Sequence, residues 1–277
     1  MNACLLSGTE AASALLAKLK SEVAKLNPKL VVVQVGEDPA SSSYIRQKIK
    51  SCKEVGMRSE HKHLPATLTL PELMQVIDTL NNDADVTGFI VQLPLPSHLS
   101  KDPQKIIDAI DPKKDVDGFS TTNIGSTFLS KDSERLPPAT PAGIIVLLDH
   151  YKIDPVGKHV VVVGRSNIVG KPIAVMLINR GATVTVCNSK TPDLAGFTRQ
   201  ADILIAAVGK PKIITADMVK DGAIVIDVGV NRVDGKLIGD SDFEEISKKA
   251  SAITPVPGGV GPMTVASLIA NCVRAKK

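Results

Sequence analysis

Aromatic side chains are scarce in this sequence, with no tryptophan, two tyrosines and five phenylalanines in 277 residues. Base-stacking platforms for single-stranded nucleic acid are therefore not expected. A charge excess is also lacking. The formal net charge of +4 is small and scattered, which argues against a polyanion partner but leaves a small anionic substrate open. No apolar run approaches the ~18 residues that a membrane span needs. The first ten residues lack the basic segment and long apolar stretch of a secretory signal. Cys4, Cys52, Cys187 and Cys272 lie far apart with no C-x-x-C pair. They are expected to be reduced, buried structural thiols, not a disulfide framework or a zinc site. His61 and His63 form an H-x-H pair without a third ligand, so no metal is expected. These absences describe a soluble, cytoplasmic protein.

What is present is an ordinary globular composition, 43% apolar and 22% charged. The length suits two domains at about 150 residues each. Residues 9–26 carry Ala12, Leu15, Leu16, Leu19, Val23 and Leu26 at helical spacing, with Ser7 and Glu10 placed as a capping box. Leu30–Val35 and Val86–Leu93 are short, continuous apolar runs that predict buried strands. Helices are predicted over 41–55, 71–82 and Pro103–Ile110. Alternating strands and helices imply a parallel sheet. Pro137, Pro138 and Pro141 mark a change of domain, and 142–150 is predicted helical. The alternation then resumes. Strands are expected at 159–163, 182–187, 202–208 and 223–228, with helices at 170–180, 192–200, Thr215–Lys220 and 264–275. Asp234-Gly235 signals a hairpin.

The strand at 159–163 runs into Gly164-Arg165-Ser166-Asn167-Ile168-Val169-Gly170-Lys171-Pro172. A glycine-rich turn between strand and helix is where a dinucleotide pyrophosphate rests on a helix N-terminus. The pattern is not a literal G-x-G-x-x-G, because Ser166 replaces the middle glycine. About twenty residues on, where a NAD site carries an acidic residue for the ribose, the sequence reads Cys187-Asn188-Ser189-Lys190-Thr191. Hydroxyl and basic groups there, with Arg165 at the turn, suit a 2′-phosphate and favour NADP. Lys190 also fits as a solvated surface lysine.

In the first half, Tyr44 and Lys48 are four residues apart and share a helix face, at the edge of the stripe Ile45, Ile49 and Cys52. Partial desolvation of such a lysine lowers its pKa and equips it to move protons. A snorkelling lysine beside a packed tyrosine fits the same pattern. Gln92 closes a buried strand at its carboxyl end, where ligands of open α/β sheets bind. Asp115 and Asp117 are either turn chemistry or a carboxylate for paired N–H donors. The stretch Thr254–Thr264, with its alternating prolines and glycines, makes a constrained loop able to press its backbone on a ligand.

Six segments in order now resemble one family. They are Val35–Lys48, Val91–Pro96, Lys114–Phe119, Ala139–Gly143, Val163–Pro172 and Pro255–Thr264. Together they resemble the bifunctional methylenetetrahydrofolate dehydrogenase/cyclohydrolase family. The resemblance implies two α/β domains, the second a Rossmann-type parallel sheet, with a cleft between them. The expected boundaries are 1–137 for the folate-binding catalytic domain and 138–262 for the NADP-binding domain. Residues 263–277 are expected to pack back on the first domain.

It further implies Lys48 as the catalytic lysine, with Tyr44 against the folate ring system, Gln92 near the lysine and Asp117 on the pterin. Gly259 and Pro262 belong to the loop lining folate and nicotinamide. Gly164, Arg165, Ser166, Gly170, Ser189 and Thr264 fall on the NADP side. Two departures stand out: the family's common Pro-Cys-Thr-Pro pattern appears here as Pro138-Ala139-Thr140-Pro141, and Asn188 stands where histidine is frequent. The implied activity is NADP-dependent oxidation of 5,10-methylenetetrahydrofolate, then hydrolysis to 10-formyltetrahydrofolate, in a dimer; the Asp234-Gly235 hairpin and the shortage of other edge protection predict that a homodimer forms through the second domain. The competing readings are an NADP dehydrogenase of another small acid, such as a shikimate-type substrate, and a non-catalytic nucleotide-binding module.

Overall fold

The structure, a computed structural model, describes residues 3–277. In chain order the first elements are β1 (Cys4–Leu5), α1 (Gly8–Leu26), β2 (Lys29–Val35), α2 (Pro39–Glu54), β3 (Arg58–Leu64), α3 (Leu70–Asn82) and β4 (Gly88–Val91). Next come α4 (Pro103–Asp108), α5 (Thr121–Leu129), α6 (Ala139–His150), β5 (His159–Val163), α7 (Gly170–Ile178), β6 (Thr183–Cys187), α8 (Leu194–Thr198) and β7 (Ile203–Ala206). The last are β8 (Ile224–Asp227), β9 (Asn231–Val233), β10 (Lys236–Ile238), α9 (Phe243–Ile246), β11 (Ala252–Ile253) and α10 (Val260–Ala275). The chain divides into two compact units.

One unit is built mainly from Ala14–Ser126 and includes Val265–Lys277. Its sheet is parallel, in the order β3-β2-β4. β2 is apolar at nearly every position because both of its faces are covered. Leu30 and Val32 pack with Leu19 and Val23 of α1, Ile45 and Cys52 of α2, and Val265–Val273 of α10. Val31, Val33 and Val35 pack on the opposite face with Leu73 and Ile77 of α3 and Ile106 of α4. This double burial places the carboxyl end of β4, and hence Gln92, beside α2.

The other unit is built mainly from Thr140–Thr264. Its six parallel strands run β1-β11-β8-β7-β5-β6. β5 lies between β6 and β7, so the strand order reverses there, and such a switch point opens a crevice at the carboxyl ends. The β9–β10 hairpin turns at Asp234-Gly235 with both φ angles positive, 49° and 77°, as a two-residue hairpin of this type requires.

Several sequence expectations are corrected. α6 begins at Ala139, not 142, and takes Pro141 into its first turn, where a missing N–H costs nothing. α10 begins at Val260 and the short element near 216 is a single tight turn, Ala216–Met218. α5 was not expected at all, and neither was β1, which carries Cys4 on the surface and not in the core. Only half of the capping box forms. Ser7 Oγ accepts from Glu10 N at 3.2 Å, while the Glu10 carboxylate lies 3.7 Å from His150 Nε2.

Candidate active site

α2 delivers Lys48 one turn after Tyr44. Helix periodicity turns the Lys48 stem toward Cys52 and Ile45, and the residue is only 8% exposed. Its Nζ donates to Gln92 Oε1 at 3.0 Å. The Gln92 amide is oriented by its own Nε2, which donates to the Leu93 carbonyl at 2.7 Å, leaving the oxygen to face the amine. Ser41 Oγ donates to the same carbonyl at 3.3 Å. Burial lowers the Lys48 pKa, and the charges of Asp117 and Cys52 partly oppose it. Burial also raises the Asp117 pKa, which Lys48 pulls back down and Asp115 pushes further up. Tyr44 is 39% exposed and burial of its ring raises its phenol pKa. Lysine, amide and carboxylate thus form a small polar group with an aromatic ring one turn away.

The two carboxylates of the 115–117 turn separate cleanly. Asp115, 1% exposed, accepts from Gly118 N at 3.0 Å, Ser120 N at 2.8 Å and Asn123 Nδ2 at 2.9 Å. It builds the turn. Asp117 uses its backbone carbonyl to receive Ala139 N at 3.0 Å, and its carboxylate lies within electrostatic reach of Lys48. Gly118 follows with φ +73°, and a Cβ there would meet the Leu136 and Pro137 carbonyls. Asn271 of α10 braces the same segment, donating to the Val116 carbonyl at 2.9 Å and the Pro137 carbonyl at 2.8 Å.

In the other unit, Gly164 N donates to the Cys187 carbonyl at 2.9 Å, which ties the end of β5 to the end of β6. Gly164 has φ +131°, and a Cβ there would strike the Ala207 carbonyl oxygen. A Cβ on Gly170 would strike the Gly164 carbonyl. The turn is therefore as tight as its backbone permits. Ser166 Oγ accepts from Val169 N at 3.2 Å and Gly170 N at 3.3 Å and so closes the turn that leads into α7. Arg165 and Ser189 are exposed. Asn188 folds its Oδ1 back onto Lys190 N at 3.0 Å. A short backbone turn at a helix start, with an exposed guanidinium beside it and no carboxylate at the end of β6, fits a phosphorylated dinucleotide. Thr264 Oγ1 pairs with Thr140 Oγ1 at 3.0 Å. Gly259 is buried and Pro262 half-buried.

A family model for the tetrahydrofolate dehydrogenase/cyclohydrolase catalytic domain matches residues 6–117. The companion model, the NAD(P)-binding domain of the same family, matches residues 138–277. The chain belongs to this family. A curated relative, the bifunctional protein FolD of Moorella thermoacetica, is 55% identical, with all of both chains covered. The crystal structure of the Campylobacter jejuni bifunctional enzyme FolD is 48% identical, covers 98% of each chain and superposes with a TM-score of 0.95. The Trypanosoma brucei FolD structure, complexed with NADP cofactor and inhibitor, is 36% identical, covers 100% of this chain and 98% of its own, and has a TM-score of 0.94.

Family membership favours the folate enzyme over the shikimate-type and non-catalytic alternatives. Lys48, Gln92 and Asp117 come together in one unit, with Tyr44 on the same helix. Gly164, Arg165, Ser166 and Gly170 form one turn of the other unit, and Ser189 follows the neighbouring strand. His61 and His63 spend one ring nitrogen each on protein partners, Gln34 Oε1 and the Gly36 carbonyl, both at 3.0 Å. Among the described residues no cluster could hold a metal. Sequence reasoning passed over Asn271, Asp227 and Asp240. The last two had a signal, an acidic residue beside glycine in Asp227-Val228-Gly229 and Gly239-Asp240, but turn chemistry writes the same pattern.

Proposed function

We propose that this chain oxidises 5,10-methylenetetrahydrofolate with NADP and then hydrolyses the methenyl product to 10-formyltetrahydrofolate. The observation that carries this reading is the buried Lys48 amine held on the Gln92 amide, 3.0 Å away, with the Asp117 carboxylate within electrostatic reach. Carbon bridging two nitrogens loses hydride readily because the cation left behind is delocalised over both. NADP, when bound, supplies the hydride acceptor. The protein's part in that step is orientation. Asp117 is suited to the pterin, whose adjacent N–H donors a carboxylate meets in pairs. The Tyr44 ring offers a face for the folate ring system. Gly259 and Pro262 belong to a stiff loop suited to close backbone approach.

Hydrolysis requires water to add to the methenyl carbon, one proton to leave that water and another to reach the departing ring nitrogen. Lys48 Nζ is the group for this exchange, because burial already disfavours its charged form. Gln92 keeps the amine at one position. Arg165 and Ser189 serve the 2′-phosphate of the cofactor, while Gly164, Ser166, Gly170 and Thr264 shape its seat. We also infer a homodimer through the NADP-binding unit. β6 is an edge strand with Val186 exposed, and Val230 and Val233 flank the hairpin with exposed apolar surface. The four free cysteines suit a reducing, cytoplasmic setting. The test is one assay with methylenetetrahydrofolate and each dinucleotide in turn. Reduced NADP formed together with 10-formyltetrahydrofolate supports the reading. Turnover of neither folate overturns it.

A further inference from the structure

Beside the Gly164 turn, at the other wall of the switch-point crevice, lies the loop after β7. Its backbone is gripped by one side chain remote in sequence. Val208 N, Gly209 N and Lys210 N donate in succession to the Asp240 carboxylate, at 2.6, 2.9 and 2.9 Å. Gly209 has φ +73°, the left-handed geometry that lets consecutive amides converge. Asn231 Nδ2 adds a fourth donor to the same carboxylate at 3.0 Å. Asp240 is fully buried.

Asp240 is itself held. The Asp227 carboxylate accepts from Asp240 N at 3.0 Å, Ser241 N at 2.7 Å and Gly229 N at 2.9 Å. Asp227 N in turn donates to Thr254 Oγ1 at 2.7 Å. The two carboxylates form a latch running from the end of β8 to the 239–241 turn and on to the 208–210 loop. Glycine is required on both sides of it, since a Cβ on Gly229 would strike Asp240 and one on Gly239 would strike Asp227. Ala207, just before the gripped amides, is the residue whose carbonyl fills the space behind Gly164. The latch therefore sets the position of the backbone against which the dinucleotide turn rests.

We propose that Asp240 is a positioning residue for NADP: its carboxylate fixes the Ala207–Lys210 backbone and thereby the seat of the dinucleotide beside Gly164. This rests on the cofactor reading given above. It separates the two activities, because hydrolysis of the methenyl compound needs no dinucleotide.

The experiment is Asp240→Asn in the full-length protein. NADP binding is titrated directly by the fluorescence of bound NADPH, and methenyl hydrolysis is followed without dinucleotide. The replacement loses a charged acceptor for three amides, so the dissociation constant rises at least about tenfold. Hydrolysis stays within about twofold of wild type, a ratio inside about half a kcal/mol. Asp240→Glu restores part of the affinity. Should Asp240→Asn fail to fold, Asn231→Ala is read instead, with an expected rise of about threefold from the loss of one hydrogen bond. Unchanged NADPH affinity, or hydrolysis falling in the same proportion as affinity, overturns the proposal. Absence of NADPH binding by the wild type overturns the cofactor reading and this inference with it.

Discussion

Replacing Lys48 by methionine removes the amine and keeps an unbranched stem of similar length. Lys48 is 8% exposed and lies three residues after Ile45 and four before Cys52 on one helix, so a methionine stem keeps the same buried position. Gln92 Oε1 loses its donor, which costs about 1 kcal/mol for a half-buried acceptor. Removal of a buried ammonium offsets that loss. The variant therefore folds, and its kinetic change reports chemistry. A positioned proton-transfer group contributes about 10²–10⁴ in rate, or roughly 3–5 kcal/mol of transition-state stabilisation. Methenyl hydrolysis, followed by the loss of methenyl absorbance, falls by about that factor in kcat. Hydride transfer needs alignment more than protons, so dehydrogenase turnover, followed by NADPH formation, survives in part. Full retention of hydrolysis by Lys48→Met would refute the assignment.

Three further outcomes follow from the same geometry. Arg165→Ala raises the KM for NADP about tenfold or more while that for NAD changes little; equal changes in both count against the 2′-phosphate contact. Asp115→Asn loses its charge-assisted turn bonds and lowers unfolding free energy by about 2–4 kcal/mol, whereas Asp117→Asn stays within about 1 kcal/mol of wild type and raises the folate KM; the assignment fails if urea denaturation ranks the two the other way. Lys48 has a lowered pKa in the fold. Between that value and 10.5 the unfolded chain therefore binds a proton that the folded chain does not, and stability rises with pH across the window. The urea midpoint of wild type minus that of Lys48→Met should increase as pH climbs there, and a flat or falling difference contradicts the buried amine.

Much of the fold was legible because its strands are covered on both faces. Leu30–Val35 and His159–Val163 are apolar at nearly every position, and only a parallel layer buried on two sides asks for that. The hairpin at Asp234-Gly235 was legible because few residue pairs tolerate two positive φ angles in succession. α5 was not legible because its start is fixed from a distance. Thr121 N and Oγ1 both donate to the Asp108 carboxylate, at 2.7 and 2.8 Å, thirteen residues away. β1 escaped notice because two exposed residues carry no pattern; its pairing with β11 spans most of the chain.

The candidate site divides along the same line between local and distant causes. Spacing alone put Tyr44 and Lys48 on one helix face, but the state of Lys48 depends on Gln92 and Asp117, which no periodicity connects to it. The carboxylates make the point most sharply. Asp115, Asp117, Asp227 and Asp240 all sit beside turns and look alike in sequence. What distinguishes them is the number of backbone amides each receives. Asp115 takes two amides and a side-chain donor, Asp227 three amides, and Asp240 three amides and a side-chain donor. A carboxylate so occupied has its charge engaged by the protein and shapes the backbone around it. Among the described residues Asp117 receives no such ring of amides, and it lies within electrostatic reach of the Lys48 amine, which is what the proposed pterin contact requires. The same residue type thus builds the frame at three positions and is left without amide donors at the fourth, where the proposed function puts the pterin, and amide saturation is the physical criterion that separates the two uses.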